Sequence, residues 1–225
     1  MLLTTALAVI ALAGCSSSAK TPAATPTPTA VPPETLSKIV LQKTDVPADW
    51  KSETYTQDAD QAKNDAELST CLGTADNSSK KVNEENSDSF SSPDGKLQLQ
   101  SSATAYPSID VVNQDIDRLK LPKLSECFTA QFTKLLSKDA PAGTTVAPTV
   151  KVTAGDNGGP ANVVGKIEVK ADVQGSDGPV SVYVNEYLIA KGSVEADVTV
   201  TSVGAPVEET QVSDYVVKVA GRLSS

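Results

Sequence analysis

The three cysteines are the side chains of this chain best suited to covalent chemistry, and they stand at positions 15, 71 and 127. The chain contains no histidine. That absence excludes Ser-His-Asp and Cys-His catalysis, zinc sites that use histidine, and imidazole pH switches. The cysteines also lack the Cys-x-x-Cys spacing of redox motifs. We therefore predict no metal site and no cofactor.

Cys15 closes an apolar N-terminal run. Residues Leu2 to Gly14 are apolar or small and uncharged, and the run is too short to span a bilayer core of ~30 Å. It ends in Leu12-Ala13-Gly14-Cys15, which resembles the bacterial lipobox. The resemblance implies a signal peptide over residues 1–14, cleavage before Cys15 and lipidation of the Cys15 thiol. The alternative is an ordinary signal peptide with a coincidental cysteine.

Cys71 and Cys127 remain once Cys15 carries a lipid. An exported chain folds in an oxidising compartment, where two free cysteines usually pair. We predict a disulfide between them, worth about 4 kcal/mol in the loop-entropy model before any strain is subtracted. The rival interpretation, a catalytic or redox thiol, lacks a histidine partner.

Three aromatic residues are candidates for ligand binding: Trp50, Tyr183 and Tyr187. Aromatic residues make up only 4% of the chain, and these rings are the large ones that could line a pocket. Tyr183 and Tyr187 share one face of a predicted strand, and the opposite face carries Val180, Val182, Val184 and Leu188. The alternative is that all three rings belong to the core.

Carboxylates would have to supply any acid or base chemistry, because histidine is absent. The adjacent pairs Glu84-Glu85 and Glu208-Glu209 lie in polar stretches, where we expect them to be solvated, whereas a carboxylate that acts as an acid or base needs burial. We predict that the protein is not an enzyme. A hydrolase that uses carboxylates alone remains an alternative, and it would need two buried carboxyl groups facing one cleft.

The charge of the chain limits its partners. The formal net charge is -9 and the isoelectric point is about 4.6. Phosphate binding needs clustered basic residues, so we predict no nucleic-acid partner. Electrostatic adhesion to anionic lipid head groups is opposed for the same reason, and we expect the membrane contact to run through the lipid on Cys15.

The composition divides the chain into three parts. Residues 1–14 form the signal peptide, and residues 15–33 comprise the lipidated Cys15 and a disordered Ser/Thr/Ala/Pro linker that could reach on the order of 50 Å. Residues 34–225 form a single domain. Its apolar spacing predicts helices after Glu34, from Asp60 to Leu72, from Ile109 to Leu119, from Leu124 to Leu135 and from Val212 to Leu223.

Alternation of apolar and polar residues predicts the strands of this domain. They run from Leu97 to Ala105, Thr149 to Val152, Val163 to Val173, Val180 to Ala190 and Val194 to Ser202. Short Gly- and Asp-rich turns between the later strands are typical of antiparallel hairpins. The predicted fold class is α+β: an antiparallel β-sheet covered by helices, after a signal peptide and disordered linker.

Two short motifs resemble a known family. The run from Leu41 through Asp45-Val46-Pro47-Ala48-Asp49-Trp50 and the later Cys71-Leu72-Gly73 are similar to motifs of extracellular sensor domains in mycobacterial PknH-type serine/threonine kinases. They also resemble related lipoproteins with a PsbP-like fold. The resemblance implies an extracytoplasmic binding or sensing module and supplies no catalytic residues.

The sequence thus predicts a cell-envelope lipoprotein that is anchored at the extracytoplasmic face of the cell membrane and binds or senses an unknown envelope ligand or protein. One alternative is a lipid or glycolipid carrier, which would need an apolar cavity between sheet and helices. The other is the carboxylate-dependent hydrolase described above.

Overall fold

The computed structural model describes residues 31–57, 59–138, 143–155, 162–175 and 178–224. The predicted signal peptide, Cys15 and the predicted linker up to residue 30 lie outside the described residues. Within the described part of the chain, no helix has the length and apolar character needed to cross a membrane.

An eight-stranded antiparallel sheet is the frame of the described residues. Its strands are β1 (Lys51–Glu53), β2 (Asn83–Asn86), β3 (Ser89–Ser91), β4 (Leu97–Ala105), β5 (Thr145–Ala154), β6 (Val163–Gly175), β7 (Gly178–Lys191) and β8 (Val194–Val203). Their order is β1-β3-β4-β8-β7-β6-β5, and β2 pairs with β4 outside this path. Strands β5 to β8 form a meander, and β4 joins the meander through β8.

Five α-helices cover this sheet: α1 (Pro33–Ile39), α2 (Gln61–Leu72), α3 (Ile109–Arg118), α4 (Leu124–Lys138) and α5 (Glu209–Ser224). Helices α1 and α5 pack on one face against β4, β7 and β8. Helix α4 packs on the other face against β5, α3 lies near β8, and α2 contacts α4. The α+β architecture predicted from the sequence is confirmed.

The larger core lies between the sheet and the helices α1 and α5. Alternate residues of β8, among them Val198 and Val200, are almost fully buried there. Helix α5 contributes Val212, Val216 and Val219, which are also buried. The spacing of three and four predicted these helix positions correctly, because one stripe of the helix must face the sheet.

A second apolar cluster lies on the opposite face, beneath α4. Its buried residues include Leu124 of α4 and Ile167 and Val169 of β6, with Phe128 and Phe132 packed against them. This cluster covers the β5–β6 half of that face. The other half, made by β4, β8 and β7, lies beneath the polar helix α2 and helix α3.

Three strands escaped the sequence prediction, and one was longer than expected. Strands β1, β2 and β3 are short and mostly polar, so they carry little apolar alternation. Strand β5 begins at Thr145 and passes through Pro148. Proline has no N–H donor. It is tolerated here because β5 is an edge strand, whose outer side pairs with no other strand.

One predicted core position is wrong. Ile109, which was placed on the apolar face of α3, is 52% exposed, and Val111 is buried in its place. Ile109 is the first residue of the helix, so the first turn starts the buried stripe two residues later than the spacing suggested.

Candidate functional site

A disulfide joins Cys71 and Cys127, as the sequence predicted. Their Cα atoms are 5.9 Å apart, and the bond spans 56 residues of sequence. Cys71 lies at the end of α2, whose buried residues, Asn64 and Ser69, are polar. Since α2 buries no large apolar side chain completely, the cross-link to α4 is a main attachment of this helix.

None of the three aromatic candidates lines the polar cavity that the next paragraph introduces. Trp50 packs against Tyr215 of α5, with ring centroids 6.5 Å apart. Tyr187 is buried in the larger core, and its hydroxyl donates to Glu209 Oε2 at 2.9 Å. Tyr183 lines a shallow groove beside Lys170. A ligand-binding role for these three rings stays a prediction.

The candidate site with the most polar side chains around it is a cavity of about 380 Å³. It lies on the face of β4, β8 and β7 that α4 leaves uncovered, and it is enclosed by α2, α3 and the segments before and after α2. The lining residues are Tyr55, Gln57, Gln61, Asp65, Leu68, Asp76, Asn77, Ser78, Lys81, Glu84, Asn86, Gln100, Ser102, Thr104, Tyr106, Asp115, Arg118, Glu186, Leu188, Glu195, Ala196, Asp197 and Thr199.

Strand register builds the floor of this cavity. Ser102 of β4 stands opposite Asp197 of β8, and Thr104 stands opposite Glu195. On the other side of β8, Glu186 of β7 stands opposite Thr199. Because alternate side chains of a strand point to the same face, Glu195 and Asp197 share the face that carries Glu186. Three carboxyl groups therefore lie on one floor.

The surroundings of the floor disfavour negative charge. Burial, followed by the nearby Asp197, raises the pKa of Glu186 well above its ordinary range. Burial also raises the pKa of Asp197, although the Ser102 hydroxyl donates to its carboxylate and opposes the rise. Burial is again the main cause for Glu195, whose pKa rises to about 8 with a further contribution from Asp115. Burial thus favours the protonated form of these groups, and a protonated carboxyl group both donates and accepts hydrogen bonds.

Two carboxyl groups on the walls are shifted in the same direction. Burial is the main cause of the raised pKa of Asp65 on α2, which accepts a hydrogen bond from Gln61 Nε2 at 2.9 Å. Burial likewise raises the pKa of Asp115 on α3. Asp76 at the rim differs, because hydrogen bonds from Ser78 hold its pKa below the ordinary range.

The two basic side chains of the cavity are already engaged. Lys81 Nζ lies 2.7 Å from Glu84 Oε1, and Arg118 Nη1 lies 2.9 Å from Asp115 Oδ1. Arg118 also donates to the backbone carbonyl of Ala75. The guanidinium thereby ties α3 to the segment that follows α2, which positions that segment as a wall of the cavity.

Asn77 is the most deeply buried polar residue of this wall, at 2% exposure. Its Nδ2 donates to Asp115 Oδ1 at 2.9 Å. Its buried Oδ1 has no hydrogen-bond partner among the residues that the structure describes. A buried acceptor without a donor costs free energy, so this atom is a point where a bound donor would be stabilising.

Glu186, Glu195 and Asp197 were missed in the sequence analysis. The signal was present: Glu195 and Asp197 occupy alternate positions in the predicted strand from Val194 to Ser202, and Glu186 interrupts the apolar face of the predicted strand from Val180 to Ala190. Glu84 was predicted to be solvated, and this was wrong, since it lines the cavity and pairs with Lys81.

The acidic residues are spread over the floor and walls. Within the described ranges, no group of three or more Cys, Asp or Glu residues converges closely enough to hold a metal ion. The arrangement instead offers several separate acceptors to a ligand of the size of the cavity.

Comparison with known proteins identified a structural neighbour. No protein-family model matches the chain, and no curated protein matches it in sequence. Among solved structures, the chain is similar to the extracellular domain of PknH from Mycobacterium tuberculosis, with a TM-score of 0.47 and 12% sequence identity. The likeness covers 88% of this chain and 98% of that chain.

Proposed function

We propose that this protein is a non-catalytic binding or sensing module, lipid-anchored through Cys15 on the extracytoplasmic face of the cell membrane, whose small polar ligand occupies the cavity over β4, β8 and β7. The cavity itself carries the proposal. Its volume of about 380 Å³ suits a small molecule, and its lining offers many hydrogen-bonding groups at fixed positions.

A lipid or glycolipid carrier is not favoured by this cavity. Only Leu68, Leu188 and Ala196 are aliphatic among its lining residues. An acyl chain placed there would desolvate carboxyl and amide groups without satisfying them, which is costly.

A carboxylate-dependent hydrolase is the second candidate, and one observation favours it. Partly buried carboxyl groups face one cleft, as such an enzyme requires. Acid and base roles, however, need neighbouring carboxyl groups whose pKa values are pushed apart. On this floor the pKa values of Glu186, Glu195 and Asp197 are all raised. The floor therefore offers no pair of carboxyl groups with separate acid and base roles.

Blocking the cavity tests the binding proposal. Gln100 lines the cavity, whereas Gln98 lies on the same face of β4 but outside it. We expect Gln100→Trp to remove the thermal shift or NMR perturbation caused by a small polar compound, and Gln98→Trp to keep it. A panel of cationic, neutral and anionic compounds in which none gives a Gln100-dependent response would contradict the proposal.

Turnover decides between binding and hydrolysis. Incubation of the purified chain with a broad panel of glycoside and ester substrates should give no product above background. Product formation that disappears in Glu186→Gln or Asp197→Asn, with the fold intact by circular dichroism, would make the hydrolase the correct function.

The lipid anchor has an independent test. A thioether-linked diacylglycerol partitions into membranes, so the wild-type chain should sediment with them. We expect Cys15→Ala to release the protein or leave it unprocessed. Normal processing and membrane retention of Cys15→Ala would refute the anchor.

A further inference from the structure

The cavity carries more carboxyl groups than its own basic residues can pair with. Seven carboxyl side chains and two basic side chains line it. Lys81 and Arg118 each pair with one carboxylate, Glu84 and Asp115. The remaining five carboxyl groups have no ion pair within the described part of the chain: Asp65, Asp76, Glu186, Glu195 and Asp197. Positive charge is therefore what this site lacks.

Two groups in particular have unused hydrogen-bonding capacity. Asn77 is almost fully buried and lines the cavity, yet its Oδ1 has no donor among the described residues. Asp65 and Asp197 each accept from a neutral neighbour, Gln61 and Ser102. Glu186 has no comparable hydrogen bond from any described side chain, although it shares the floor with Asp197. Asn77 Oδ1 and the Glu186 carboxyl group can both accept hydrogen bonds, and N–H donors of a ligand would satisfy them.

We propose that the ligand of this cavity is an extended organic cation with two or more spaced ammonium groups, of the di- or polyamine class. This inference rests on the proposed binding function. Ammonium groups supply both positive charge and N–H donors, so one ligand would satisfy the unpaired carboxylates and the Asn77 oxygen together. The unpaired carboxyl groups belong to β7, β8, α2 and the segment after α2, so an extended molecule has more than one anchoring point.

Three other ligand classes fit less well. A single divalent metal ion needs several oxygen ligands converging on one point, and the described carboxyl groups do not converge. A neutral sugar could use the amides and hydroxyls, but it would leave the repulsion between Glu186 and Asp197 in place. Anions are opposed by the excess of carboxylates.

Binding of a cation should compete with protons. Titratable groups from every element around the cavity face the three floor carboxyl groups. They are Asp65 of α2, Asp76 and Lys81 of the segment after α2, Glu84 of β2, Tyr106 after β4, and Asp115 and Arg118 of α3. Acidic neighbours outnumber basic ones, so protonation relieves the same repulsion that a cation relieves. Each cation bound should displace protons, and acidification should release the ligand.

Calorimetric titration of the oxidised full chain with spermidine and putrescine tests the proposal. We expect saturable 1:1 binding that is about ten-fold weaker at about pH 6 than at about pH 8.5. Glu186→Gln and Glu195→Gln should each weaken it by about ten-fold. Glu85 follows Glu84 in β2 and lies outside the cavity. Glu85→Gln also replaces one carboxyl group by an amide and should leave binding unchanged.

Three probes separate this inference from the proposed function. Triethylene glycol matches the length of a polyamine without charge, maltose presents hydroxyls, and Mg²⁺ presents a compact cation. Maltose binding that Gln100→Trp abolishes, with no spermidine binding, would overturn the inference and leave the proposed function standing. Spermidine binding that Mg²⁺ reproduces, or that Glu85→Gln weakens as much as Glu186→Gln, would overturn it as nonspecific charge attraction. Absence of binding by every probe would overturn both.

Discussion

The β7–β8 hairpin has two faces that share one backbone and differ completely in chemistry. On one face Val198 and Val200 are sealed beneath α5. On the other face Glu195, Asp197 and Thr199, at the alternate positions of the same strand, line a polar cavity. Because side chains alternate along a strand, neither face constrains the other. The covering helix therefore decides what each face must be.

The two covering layers explain this difference. Helix α5 brings a stripe of valines to the sheet, so the face beneath it must be apolar to avoid unsatisfied groups. Helix α2 brings Gln61 and Asp65 toward the sheet, and its buried residues are Asn64 and Ser69. A polar cover leaves room for water or a ligand, and carboxyl groups are tolerated on the floor.

A charge placed on the apolar face should have the largest effect. Val198 has no exposed surface, and Val198→Asp would bury a carboxylate with no partner. We expect a loss of about 4 kcal/mol or more in the free energy of unfolding, or failure to fold. Thr199→Val, the next residue on the cavity face, should change stability by about 0.5 kcal/mol or less. Urea denaturation of both variants measures the contrast, and equal losses would refute the two-face description.

Removal of the disulfide should weaken the cavity side selectively. Replacing Cys71 and Cys127 together by Ser should lower the free energy of unfolding by about 2–4 kcal/mol. Hydrogen exchange should rise over α2 and the following segment more than over α5, because α5 is held by its apolar stripe. Uniform acceleration of exchange throughout the chain would show that the bond stabilises the fold as a whole and not this wall.

The floor carboxyl groups should give a pH dependence of opposite sign to that of ordinary surface ion pairs. In the unfolded chain Glu195 loses its proton near the ordinary value of 4.5, and in the folded chain near 8. The folded state therefore holds more protons between these values, and its stability falls as the pH rises through this window. We expect a melting temperature roughly 3 °C or more higher at about pH 5.5 than at about pH 8.

Glu186→Gln should reduce this dependence and raise the melting temperature at pH 8, because an amide replaces a carboxyl group whose ionisation is disfavoured. Glu85→Gln is the matched control and should preserve the wild-type slope. A variant that melts lower than the wild type at pH 8 would mean that the Glu186 carboxylate is stabilised by contacts other than those described.

Tyr187→Phe should have the smallest effect. The variant loses the hydrogen bond to Glu209, and we expect a cost of about 1 kcal/mol with the ring still packed in the core. Since Tyr187 and the cavity lie on opposite faces of β7, polyamine binding should not change. Loss of ligand binding in this variant would restore Tyr187 to the candidate site.

The sequence predicted the long elements because their periodicity reflects burial. Strand β4 was predicted with its observed bounds, and the C-terminal helix with its observed buried stripe. It did not predict the cavity, because Glu186 and Asp197 meet only through the pairing of β7 with β8 and the absence of an apolar cover. Tyr183 and Tyr187 drew the site prediction to the opposite face, since aromatic rings suggested a pocket where α5 in fact packs.

The pairing of β4 with β8 also has a consequence for the order of folding. Ser102 and Asp197, which meet on the cavity floor, are 95 residues apart in sequence. Contacts between distant parts of a chain form late, because closing a long loop is entropically unfavourable until local structure is in place. The β5–β8 meander can assemble from hairpins of strands that are neighbours in sequence. The cavity floor also requires β4 to pair with β8, the last strand of the meander. We therefore expect the cavity to be among the last parts of the molecule to form, and a chain that stops short of β8 would lack the cavity floor.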